Sequence, residues 1–170
     1  MTARRAAARA EDDFQALFHN AGVGITLVDA STWRFIRVNE MYSTIIGRSE
    51  ADLLRSTVGD VTHPDDWEAD VGQLNRLVRG EIPSYSVEKR LLRPDGSAVW
   101  VRINAHPVRD ETGRVARTVS VVEDIGPRNA AEHALQDRAD QRVMRAAEDD
   151  GVDARQLERR GGLADGGDRG

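Results

Sequence analysis

The run Tyr85-Ser-Val-Glu-Lys-Arg-Leu-Leu92, Arg93-Pro-Asp-Gly96, Ser97-Ala-Val-Trp-Val-Arg-Ile-Asn-Ala-His-Pro-Val108, Arg109-Asp-Glu-Thr-Gly113, Arg114-Val-Ala-Arg-Thr-Val-Ser-Val-Val-Glu-Asp-Ile125 decides the fold. It reads as three strands joined by two tight turns. Pro94 fixes φ and Gly96 is free to take positive φ, and Asp110 to Gly113 ends in the same glycine device. The middle strand alternates: Val99, Val101, Ile103 and Ala105 face one way, and Trp100, Arg102, Asn104 and His106 the other. An antiparallel meander with one apolar face needs a cover or a ligand on that face.

Working outward, Thr62 to Asp66 opens a long helix. Pro64 suits the first turn, and Asp65 and Asp66 suit the positive end of the helix dipole. Trp67, Val71, Leu74 and Val78 recur at helical spacing, and Gly80 ends the element. This amphipathic helix is the natural cover for the sheet. Upstream, Glu11 to Asn20 reads as a short helix with Phe14, Leu17 and Phe18 on one face. Gly22 to Asp29 and Arg34 to Val38 read as strands. Asn39 sits at a helix N-cap position with Gly47 as the stop, and Ser49 with Asp52 opens a small helix over Glu50 to Arg55. The fold class is therefore α+β: a five-stranded antiparallel sheet with helices on one face, plus a C-terminal linker helix.

The expected organisation is a flexible tail over 1–12, one domain over 13–126, a linker helix over 127–149 and a disordered tail over 150–170. The linker is Ala/Glu/Arg-rich, with a thin stripe of Ala131, Leu135, Ala139 and Val143 that admits a coiled coil without requiring one. The end of the chain is Gly/Asp/Arg-rich and apolar-poor. It resembles out-of-frame reading of a GC-rich gene, so a truncated gene product is one reading.

The chain has 170 residues, a net charge of −5 and no cysteine. Disulfides, thiolate metal sites and cysteine nucleophiles are excluded. Nucleic-acid binding is disfavoured, because no basic block exceeds two arginines. No apolar run approaches the ~18 residues of a membrane span, and the N-terminus is not a secretory signal. A cytoplasmic location is expected.

These residues, in this order, resemble the PAS sensor family, especially members with a C-terminal PAC-type segment. The resemblance is carried by Phe14-x-x-Leu17-Phe18, Ala21-Gly-Val-Gly-Ile25, Val38-Asn39, Ile46-Gly47-Arg-Ser49, His63-Pro-Asp-Asp66, Arg93-x-Asp-Gly96, Trp100-Val101, Val108-Arg-Asp110 and Asp124-Ile125. It covers Phe14 to Ile125. Each motif alone is weak, and their order and spacing are specific. The family continues Asp-Ile-Thr into a helix; here the third residue is Gly126, a departure expected to loosen that junction.

The resemblance implies a small cavity between the sheet and the long helix, lined by Ile25, Leu27, Met41, Ile45, Leu74, Val78, Val101, Ile103 and Ser120. It would take a small apolar metabolite, or it is a filled, dry core. LOV-type flavin photochemistry is excluded: the family's cysteine position falls near Val58, and its amide positions on Leu91, Val101 and Val122. Flavin binding of another style is disfavoured too. Haem is disfavoured because Asp65 to Arg79 holds no histidine. His63 caps or orients its turn, and His19, His106 and His133 read as solvent-facing. No metal site is expected.

The resemblance also implies a signal junction at Asp124 and Ile125, where Asp124 is expected to N-cap the exit helix; the helix face of Phe14, Leu17 and Phe18 and the outer sheet face carrying Trp100 are expected to form a dimer surface. The function expected is a signal-sensing and dimerisation module of a bacterial two-component or cyclic-dinucleotide pathway. Its partners are a second copy and an output domain. Ligand or partner binding would shift the exit helix. The alternatives are a ligand-free interaction module, or the truncated sensor part of a histidine kinase or diguanylate cyclase. An enzyme is not expected: no nucleophile–base pair, phosphate loop or kinase motif is present.

Overall fold

The computed structural model describes residues 2–149. The disordered tail expected over 150–170, and the truncation reading drawn from it, lie outside the described residues. The chain divides into two units at Gly126/Pro127.

In the first unit the elements run α1 (Ala3–Asn20), β1 (Gly24–Asp29), β2 (Phe35–Val38), α2 (Glu40–Ile46), α3 (Glu50–Leu53), α4 (Val58–Val61), α5 (Pro64–Val78), β3 (Tyr85–Leu92), β4 (Ala98–Arg109) and β5 (Val115–Asp124). The strands form one antiparallel sheet in the order β2-β1-β5-β4-β3. After β5 comes α6, spanning Gly126–Asp149. Its Leu135 and Val143 are exposed.

The decisive meander forms as read. Gly96 and Gly113 both take φ +84°, the left-handed conformation that closes each turn. The Asp95 and Asp110 side chains brace the turns by accepting from the hydroxyl and amide of Ser97 and Thr112. Val99, Val101, Ile103 and Ala105 are buried, while Trp100 and His106 are exposed.

Asn39 is the N-cap of α2 and does more than cap it. Its Oδ1 accepts from the amides of Tyr42 and Ile25 at 3.0 and 2.8 Å. Its Nδ2 donates to the carbonyls of Phe18 and Val23, both at 2.9 Å. One buried amide thus ties the end of α1, the entry of β1 and the start of α2. Gly24 lets α2 approach β1: a Cβ there would lie 3.2 Å from Tyr42.

Three expectations are corrected. The helix read as starting at Glu11 begins at Ala3, so the segment read as a flexible tail over 1–12 is helical from its third residue. A run of Ala and Arg with high helix propensity continues the pattern backwards without needing an apolar face. Thr57 and Asp60 form a reciprocal capping box that opens α4, an element absent from the sequence reading. On α5 the buried face is Asp70, Leu74 and Leu77, with Trp67, Val71 and Val78 only half-buried. The stripe read from apolar residues was therefore rotated, because its true centre is a carboxylate.

Candidate functional site

The interior between α5 and the sheet holds a cavity of about 30 Å³. α5 supplies Asp70 and Leu74 to its wall, β3 supplies Tyr85, Lys89 and Leu91, and β4 supplies Ile103. Thr26 and Val28 of β1 and Thr118, Ser120 and Val122 of β5 complete the sheet side. Phe35, Tyr42 and Val58 close the remaining edge.

Of the expected lining residues, Leu74, Ile103 and Ser120 border this cavity. Ile25 and Leu27 do not line the cavity. They lie half-buried on the opposite face of β1, whose inward residues are Gly24, Thr26 and Val28. A one-residue slip in register moves every side chain to the other face. Ile45 and Val101 are buried in the core without lining the cavity, Met41 packs against the core, and Val78 is half-buried.

The sequence reading missed the polar centre of this wall. Lys89 and Asp70 form a salt bridge, with side chains only 3% and 1% exposed. Lys89 Nζ also donates to Thr62 Oγ1 at 3.1 Å, and the Tyr85 hydroxyl donates to Asp70 Oδ1 at 3.2 Å. Burial pulls the Lys89 ammonium below the ordinary lysine range, against the Asp70 carboxylate that holds its proton. Burial, then the Asp70 charge, pushes the Tyr85 phenol above the ordinary tyrosine range, and burial does the same to Tyr42. The alternation of β3 had placed Lys89 inward beside Leu91; that was the available signal, since Lys89 is the only lysine in the chain.

One helical turn before Asp70, Asp66 reaches the next residue of β3. Its carboxylate accepts from the Arg90 amide at 2.9 Å and from the guanidinium at 2.8 and 3.0 Å. Asp66 therefore satisfies a free amide of the sheet's edge strand, beyond complementing the helix dipole. The Arg90 bond and charge hold the Asp66 carboxyl below the usual carboxylate range. His63 caps α5, with Nδ1 accepting from the Asp65 amide at 3.2 Å.

Arg90 lies 5.3 Å from the centre of the Trp100 ring, and the Trp100 carbonyl accepts from the Ile125 amide at 3.0 Å. Asp124 Oδ1 accepts from the Gly126 amide at 2.9 Å; because α6 starts at Gly126, Asp124 stands one residue ahead of the N-cap position expected for it. A continuous set of contacts thus runs from the first turn of α5 to the end of β5.

Of the four residues expected on a dimer surface, Phe14, Leu17 and Trp100 are exposed, at 44%, 75% and 43%. Phe18 is not: it is 5% exposed, stacks on Phe14 at 5.5 Å and lies under the Arg37 guanidinium. Its ring is spent on anchoring α1 to its own domain.

A family model described as the PAS fold matches residues 35–122, and the chain belongs to that family. It is 27% identical over 133 residues to the probable diguanylate cyclase DgcE of Escherichia coli (strain K12), covering 78% of this chain and 12% of that protein. It is 25% identical over 125 residues to the sensor histidine kinase TmoS of Ectopseudomonas mendocina, covering 74% of this chain and 13% of that protein. The crystal structure of a PAS domain from Colwellia psychrerythraea superposes with a TM-score of 0.64 at 19% identity, over 69% of this chain and 98% of that one. The chain is a PAS domain of the kind that serves as the sensor segment of signalling proteins. It spans only about an eighth of the length of the curated relatives it matches.

Proposed function

We propose that this PAS domain senses its signal at the α5–sheet interior and passes it to the exit helix through the Trp100–Ile125 junction. The observation that carries this is the Ile125 amide bond to the Trp100 carbonyl at 3.0 Å. It joins the start of the exit segment to a strand whose neighbouring residues, Val101 and Ile103, are core and cavity wall. A movement of α5 acts on Arg90 through Asp66, and on Trp100 through Arg90. Mechanistically this is a shift between two arrangements, no larger than the signal's differential affinity for them.

The same proposal holds the chain to be a cytoplasmic, non-catalytic homodimer. Phosphotransfer or cyclic-dinucleotide synthesis would belong to an output domain of the two-component or diguanylate cyclase type. Phe14, Leu17 and Trp100 are the exposed apolar residues offered to a second copy; Trp100→Arg leaving a purified dimer intact by light scattering counts against that surface.

Leu74→Ala tests the coupling. It widens the cavity without touching the junction, so amide exchange at Ile125 and Gly126 should quicken more than at Asp29, on the far side of the sheet. Equal change at both sites would refute the coupling. The small size of the cavity favours a second reading, an interaction module with a filled core. Native mass spectrometry giving a bare dimer that no metabolite library stabilises would support it.

A further inference from the structure

The cavity wall sets the chemistry of what it can hold, given the sensory reading above on which this rests. Asp70 and Lys89 are 1% and 2% exposed and answer each other's charge. Asp70 receives a further bond from Tyr85, and Lys89 gives one to Thr62. Among the described residues no fully buried side-chain nitrogen or oxygen lacks a partner. The site therefore holds no spare charge. A charged guest would shed its hydration and meet no free counter-charge, which is the costliest kind of burial.

Hydrogen-bonding capacity is nonetheless available. The hydroxyls of Thr26, Tyr42, Thr118 and Ser120 belong to the same wall. Each can donate and accept. Val28, Phe35, Leu74 and Ile103 supply the apolar remainder. One water needs roughly 10–15 Å³ of such space. About 30 Å³ therefore takes only two or three water-sized atoms, and a slight opening takes one more.

We infer that the Asp70–Lys89 cavity is a binding site for a neutral, hydrogen-bonding molecule of roughly two to four heavy atoms, of the short-chain alcohol or amide class. Water is its resting occupant, and the guest displaces it between the hydroxyls of β1 and β5 and the aliphatic side of Leu74. Large planar cofactors are excluded by volume, and small ions by the self-neutralised pair.

Formamide and formate have the same number of heavy atoms and differ in charge, so they separate the possibilities. Each is titrated into the ¹⁵N-labelled full chain and followed by NMR, with methylammonium as the cation. The expected result is saturable movement of the Leu74, Ile103 and Ser120 amides with formamide, at a Kd no tighter than about millimolar given so few atoms. Formate and methylammonium should leave those amides unmoved. Ser120→Val should weaken formamide roughly fivefold, the worth of one neutral hydrogen bond, and Thr118→Val serves as the second variant. Formate saturating those amides as well as formamide overturns the neutral class and leaves the sensory reading standing, since the Leu74→Ala exchange test is independent of any guest. No saturable movement with formamide or ethanol overturns the site itself, as does binding that neither hydroxyl variant weakens.

Discussion

Asp70 of α5 and Lys89 of β3 are paired inside the domain, with side chains 1% and 3% exposed. One turn earlier on the same helix, Asp66 grips Arg90, the next residue of the same strand, at 2.8 Å. Two carboxylates at i and i+4 thus address two consecutive basic residues that point to opposite faces of an edge strand. The helix is fixed to β3 both through the interior and around its rim.

Buried pairs of this kind are strongly destabilising to break and close to neutral to replace. Lys89→Met should therefore lower stability by about 3–5 kcal/mol, because Asp70 is left buried and unpaired. Asp70→Leu with Lys89→Met should recover most of that loss. Urea unfolding of the two single variants and the double variant checks it; additive losses would mean the pair is not coupled.

Asn39 offers a sharper test of the α1–β1–α2 junction. Its two donors face two carbonyls and its oxygen faces two amides, so only an amide side chain satisfies all four. Asn39→Asp keeps the shape and the cap but turns an oxygen toward both carbonyls. It should cost at least about 2 kcal/mol, more than an N-cap exchange alone would suggest. A thermal midpoint within a degree or two of wild type would contradict this bonding pattern.

The meander was legible because Pro94-Asp-Gly96 and Asp110 to Gly113 state their turns outright, and because β4 alternates cleanly. β1 was legible as a strand but not in its register: Ile25 and Leu27 are larger and more apolar than Thr26 and Val28, yet the smaller pair faces inward. Hydrophobicity decides a face only when that face is uniformly apolar, and here it is partly polar. For the same reason the α5 stripe was rotated onto Trp67 and Val71, and the Asp70–Lys89 pair was missed. Such a pair is made by residues that pattern reading assigns to solvent. The α4 capping box lay in plain view as Thr57-x-x-Asp60, but the helix it opens is too short for any period to appear.

Tyr85 gives the site a pH signature. Its phenol is held above the ordinary range by burial and by Asp70. The unfolded phenol ionises near pH 10. Since the folded value is raised, the contribution is fully present below about pH 10 and is lost as pH rises through the folded value. Lys89 works in the opposite sense, because its folded value is lowered by burial. Tyr85→Phe should therefore flatten the fall in urea midpoint between about pH 10 and 11.5. An unchanged slope would place the phenol in solvent.

Phe18 and Leu17 are neighbours in sequence with opposite fates, 5% and 75% exposed. Phe18→Ala should destabilise the monomer by about 3 kcal/mol as a core truncation. Leu17→Ala should stay within about 0.5 kcal/mol. If denaturation at a concentration that holds the chain monomeric gave equal losses, α1 would not be anchored through Phe18.

The most direct test uses the fact that Lys89 is the only lysine in the chain. Selective ¹³C,¹⁵N-lysine labelling gives one side-chain signal, and that signal reports the centre of the site. The expected result is ammonium protons shielded from exchange with water at neutral pH, a titration midpoint below that of free lysine, and a saturable shift with formamide that the Ile125 amide follows. A lysine signal that exchanges freely, titrates as in solution and ignores formamide would put Lys89 outside the interior and remove the basis for the site.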